Sequence, residues 1–141
     1  MGVLQKFQLF VESGTWTAPE TGARVTVIAV GGGNACDSNV PGEVGETTSF
    51  GSLVSASGGG GQSGAEHGKK GCGLMGFGDG GESNRVGYTP SGGDAGEVDT
   101  YSGTVTTDQT VTIGAGGERD PLYNYIKSGR DGAVFVWWEE L

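Results

Sequence analysis

Residues 13–33 read SGTWTAPETGARVTVIAVGGG, and they set two demands against each other. Positions 24–30 are strand-prone, with β-branched side chains and with Val25, Val27 and Ala29 on one face of a period-two alternation. They run straight into Gly31, Gly32 and Gly33, residues with nothing to bury and the most backbone entropy to lose. A strand that ends in this way must gain something from backbone without side chains. Positive φ and a close approach of one backbone to another are the two gains that glycine allows, so several loops are expected to pack together at one end of the strands.

The rest of the chain repeats the pattern. Further strands are expected over 6–11, 15–17, 49–57, 97–105, 110–113 and 133–139, with Val111 and Ile113 sharing a face, as do Val134, Val136 and Trp138. No segment has a helical period, and the four prolines all fall in polar or glycine-rich connections. The expected fold is all-β: one domain spanning residues 1–141, a small jelly-roll-like β-sandwich with long glycine-rich loops. Hydrophobic residues are only 34% of the chain, so its core must be thin. Glycine, at 31 of 141 residues, is roughly three times as frequent as usual. It does not repeat at every third position as in collagen.

Three long connections, 31–48, 58–96 and 114–132, hold most of that glycine, and the middle one carries sixteen in thirty-nine residues. Ordinary connections run to about 4 to 6 residues, so loops of this length point to function. Their aromatic and polar side chains suit recognition of a sugar or protein surface, with rings for rigid area and donors for orientation. The candidate binding residues are His67, Lys69, Phe77, Asn84, Arg85, Tyr88, Tyr123, Asn124, Tyr125, Lys127 and Arg130.

A net charge of −9, from 17 acidic and 8 basic residues, opposes nucleic-acid binding and attraction to an anionic membrane surface. No stretch approaches the roughly 20 apolar residues needed to span a bilayer, and the N-terminus has no apolar run of signal-peptide length. Cys36 and Cys72 lack zinc spacing; both fall in loops, which leaves a bond between them open.

Catalytic readings are weaker than structural ones. VIAVGGGNA (27–35) imitates a dinucleotide turn without its third glycine, while GCGLMG (71–76) and GFGDGG (76–81) follow no strand and precede no helix. HGKK (67–70) fails as a phosphate loop, with Ser63 where glycine is required and Lys70 after Lys69. His67 is the sole histidine and has no nucleophile elbow beside it. Glu43, Glu46, Asp79, Glu82 and Asp94 leave open a calcium site or a glycosidase pair, which spacing alone cannot assemble. No catalytic residue, cofactor or metal is assigned. Trp137 and Trp138 are neighbours in a terminal strand, so one is expected in the core and the other at a contact.

Five blocks in order carry a resemblance: FVESGTWTAPETGARVTVIAVGGG (10–33), TTSFGSLVSASGGGG (47–61), GGDAGEV (92–98), TVTIGAGG (110–117) and SGRDGAVFVWWEE (128–140). Together the chain resembles the glycine-rich domain of tail-fibre tips, adhesins and minor virion proteins of tailed bacteriophages. NACDSNVPGEVGE (34–46) departs from that pattern, interrupting the glycine run. The resemblance implies a virion protein on the particle surface that contacts other virion proteins of fibre, baseplate or capsid; without a signal peptide it is expected to be made in the host cytoplasm, and without a catalytic motif to be non-enzymatic. The resemblance also implies recognition of a host glycan or protein receptor, and a homo-oligomer, a trimer above all. With Met1 just before the domain, no shaft is expected and attachment falls to a separate protein. The alternatives are a capsid or tail decoration protein and, third, a polysaccharide-cleaving virion enzyme. Some adhesins of related composition contain packed polyglycine helices, for which Gly58 to Gly61 is the one local candidate.

Overall fold

A computed structural model describes residues 4–36, 42–60, 72–82, 93–122 and 127–141. Eight strands form: β1 (Gln5–Phe10), β2 (Gly14–Trp16), β3 (Ala23–Val30), β4 (Thr48–Phe50), β5 (Val54–Ala56), β6 (Val98–Val105), β7 (Gln109–Thr112) and β8 (Ala133–Glu140). They make two four-stranded sheets, ordered β1-β8-β3-β6 and β2-β7-β4-β5, with every pairing antiparallel. The pairs β1 with β8, β2 with β7, β3 with β6 and β4 with β5 are nested and alternate between the sheets. A long antiparallel ribbon wrapped in this way is a jelly roll.

The alternation in β3 decides which face meets which. Val25, Val27 and Ala29 are buried, and they meet Val134 and Val136 of β8, Phe50, Val54 and Ala56 of the second sheet, and Val111 of β7 in one core. Trp16 closes its end, packed 5.6 Å edge-on to Trp138 and 5.7 Å from Phe50. Burying each such side chain stabilises the fold by about 1.5–3 kcal/mol, and with so few of them no layer is redundant.

The sequence reading of 49–57 as one strand is corrected. Gly51 takes a φ of 54° and the Leu53 amide donates to the Phe50 carbonyl, so the segment turns back on itself as the β4–β5 hairpin. Gly51-Ser52 is a turn pair, and it outweighs the strand propensity on either side.

Trp137 and Trp138 do point to opposite faces. Trp138 packs on the main core, whereas Trp137 lies outside it with Phe135 and Phe7. Cys36 is buried, Cys72 is exposed, and no disulfide joins them.

Candidate functional site

Six strands open toward one end of the sandwich, and the glycine-rich segments continue from them. The segment 31–36 prolongs β3, and each of its amides donates to another backbone: Gly31 to Glu97, Gly32 to Glu46, Gly33 to Arg130, Asn34 to Asp94, Ala35 to Glu43 and Cys36 to Lys127. The acceptors rotate among three segments and return every third residue. Three residues per turn is the geometry of the left-handed extended helix of polyproline and polyglycine, which makes no internal hydrogen bonds. Such a helix must pair with its neighbours.

Its carbonyls complete the pattern. Gly32, Gly33 and Asn34 accept from the amides of Gly59, Gly117 and Gly81, which belong to three further segments. Six segments therefore surround 31–36: 42–46, 57–60, 93–97, 78–82, 127–132 and 114–117. They also bond around the ring, as in Gly45 to Gly59, Glu97 to Ser57, Gly96 to Gly78, Arg130 to Asp79, Gly129 to Gly117 and Glu46 to Ala115. Chain directions alternate around it. The segments returning to the sandwich (42–46, 93–97, 127–132) run antiparallel to the centre, and those leaving it run parallel.

Sterics explain the glycines. With backbone on every side of 31–36, a Cβ on Gly32 would collide with the Ala115 carbonyl and one on Gly33 with that of Asp79. Of the two gains glycine offered, only close approach is used at Gly31, Gly32 and Gly33. Positive φ occurs at Gly22, Gly51, Gly76 and Gly78, not at Gly31, Gly32 or Gly33, which corrects half of the sequence reading. The expectation that Gly58 to Gly61 is the one polyglycine candidate is corrected as well: each of the six flanking segments reads G-x-x-G, at 42–45, 58–61, 78–81, 93–96, 114–117 and 129–132. Glycines three apart lie on one side of a three-fold helix. Gly42 and Gly45 face the carbonyls of Ala35 and Gly32, Gly93 and Gly96 those of Asn34 and Gly31, and Gly129 and Gly132 those of Gly33 and Val30. In these three segments the residues between the glycines point away from the centre, and the repeat stops at each connection, which conceals it from a search for collagen.

Acidic side chains close the backbone accounting. Glu43 accepts from the Glu118 amide, Glu46 from Ala115, Asp131 from Gly116 and Asp79 from Gly73. A carboxylate only accepts hydrogen bonds, so it suits backbone with amides to spare, and part of the chain's acidity has this use. The buried Asn34 contributes the complement, its Nδ2 donating to the carbonyls of Gly42 and Glu43. Among the described residues no group of three His, Cys, Asp or Glu side chains is arranged to hold a metal, and no helix is long and apolar enough to cross a membrane.

Three of the candidate binding residues are described. Lys127 stands at the end of the bundle far from the sandwich, exposed and paired with Glu82 at 2.9 Å, while Arg130 is exposed one turn nearer the strands. Phe77 is elsewhere. It is half-buried at the base of the bundle, edge-on to Phe135 at 5.8 Å, so its place as a free loop side chain is corrected. His67, Lys69, Asn84, Arg85, Tyr88, Tyr123, Asn124 and Tyr125 lie outside the described residues. Several flanks of those segments are fixed at the far end, where the amide of Lys127 donates to Glu82, that of Cys36 to Lys127, that of Gly93 to Gly81 and that of Arg119 to the Ser128 hydroxyl. No family model matches the chain, and no curated protein or solved structure matches it.

Proposed function

We propose that this chain is a surface component of a tailed-bacteriophage particle that recognises the host, binding rather than catalysing. The observation that supports this reading is the bundle itself. Seven backbone segments, bonded to one another on all sides, form a stiff stem, and its far end anchors residues flanking 37–41, 83–92 and 123–126. A rigid scaffold that gathers variable connections at one end is the usual architecture of a recognition surface. Glycine in the stem keeps its cross-section small. The net charge of −9 gives no long-range attraction to an anionic bacterial surface, so affinity falls to short-range contact, for which the sequence offers Tyr88, Tyr123, Asn124 and Tyr125 besides Lys127.

A decoration role on capsid or tail is the second reading, favoured by the apolar outward face of the β1-β8-β3-β6 sheet, which suits a neighbour in a lattice. Immunogold labelling of purified particles, combined with adsorption of particles carrying alanine at Tyr88, Tyr123 and Tyr125, separates the two. Tail-end label and reduced adsorption are expected. Label spread over the head, or unchanged adsorption by intact particles, would overturn host recognition in favour of decoration.

A further inference from the structure

The outward face of the β1-β8-β3-β6 sheet is set by register. Phe7 of β1 stands opposite Trp137 of β8, and Leu9 opposite Phe135; on the other side of β8, Ile28 stands opposite Phe135. The rings touch in sequence: Phe7 and Trp137 are 5.1 Å apart, Trp137 stacks on Phe135 at 6.1 Å, and Phe135 meets Phe77. Past Phe77 the strip opens into a groove of about 520 Å³, bordered by Val11 and Met75. The two ends of the strip are open to water, with Phe7 52% and Leu9 40% exposed at one and Val11 51% and Met75 81% at the other, while Phe135 between them is buried against Phe77 and Trp137. A continuous strip of this kind on a folded domain marks a contact surface, whereas scattered single residues do not.

Chemistry narrows the occupant. Aliphatic side chains interleave with the rings, and the outward polar groups on these strands are the Gln5 amide and the hydroxyls of Thr26, Thr100, Ser102 and Thr104, with Arg130 and Asp131 at the groove. Few donors stand beside the rings to orient a sugar, so the surface fits protein. Charge then selects which protein. Of 17 acidic and 8 basic residues, the outward positions of these four strands carry only Glu139 and Arg24, which are register partners. The face is neutral in a chain of net charge −9. Two identical chains repel over most of their surfaces, and here they do not.

We infer that this face is covered in solution by a second copy of the chain, in a two-fold contact centred on Phe7, Leu9 and Trp137. A self-complementary apolar face suits an isologous pair, because a ring requires a second, complementary surface. The inference is independent of host recognition and differs from the trimer that the phage resemblance implies.

Sedimentation velocity of the full chain over the micromolar to sub-millimolar range tests it. The expected species has twice the 14.2 kDa chain mass. Phe7→Glu with Leu9→Glu should raise the dissociation constant by at least about 30-fold, as loss of interface hot spots does, with an unchanged circular dichroism spectrum. Leu9→Glu alone should act in the same direction, which keeps the test sound if the double variant misfolds. Leu122→Glu, away from this sheet, should leave the pair intact. A wild-type monomer at every concentration would overturn the inference and assign the face to a different protein. A wild-type trimer, or a dimer that survives folded Leu9→Glu, would overturn it too.

Discussion

Gly45 faces the carbonyl of Gly32 so closely that a single added carbon on Gly45 would occupy the space of that oxygen. Gly60, in the neighbouring outgoing segment, has no atom within 4 Å of the same position. The pair makes a controlled comparison. Gly45→Ala should destabilise the protein by about 1–3 kcal/mol or more through over-packing. Gly60→Ala should be neutral or gain about 0.4–1 kcal/mol by restricting the unfolded chain. Denaturant melts of both variants check this, and equal effects would contradict the close packing of the bundle.

Phe77 is expected to matter for stability because its ring packs on Phe135. Phe77→Ala should cost about 1–2 kcal/mol, less than the loss at a fully buried ring. Thermal melting would show this as a drop of several degrees, whereas a truly free loop side chain would leave it unchanged.

Val27, Val111 and Val136 share the main core between the sheets. Aspartate at any of them places an unpaired charge among apolar groups, and a core without redundant layers has no means of absorbing it. Loss of the cooperative unfolding transition is expected for each, by circular dichroism against temperature.

The two thiols should react differently. Cys72 is exposed and Cys36 is 1% exposed at the end of the central segment. A thiol reagent should modify one cysteine per native chain at once and the second only on unfolding. Rapid modification of both under native conditions would contradict the burial of 31–36.

Much of the sandwich is legible in the sequence, because period-two alternation in 24–30 and 133–139 reports a buried face directly. The hairpin at Gly51 is hidden by strand-prone residues on both sides, although Gly51-Ser52 is a local turn signal. The bundle was half legible. Gly31, Gly32 and Gly33 announce close backbone contact, but the contact is with segments up to a hundred residues away, and nothing in a local window states which. The G-x-x-G spacing in GEVG, GDAG and GRDG is the signal that would have found them. Phe77 is misread for a different reason: a residue in a glycine-rich connection looks free, and only the fold brings it to Phe135.

The bundle is the claim on which the account rests, and amide hydrogen exchange tests it most directly. All six amides from Gly31 to Cys36 are donors to backbone carbonyls of neighbouring segments. They belong to one cooperative unit with β3 and should exchange as slowly as the strand amides of Val25 and Val27, opening together. Exchange of 31–36 at the rate of an unstructured glycine-rich loop, while β3 stays protected, would contradict it.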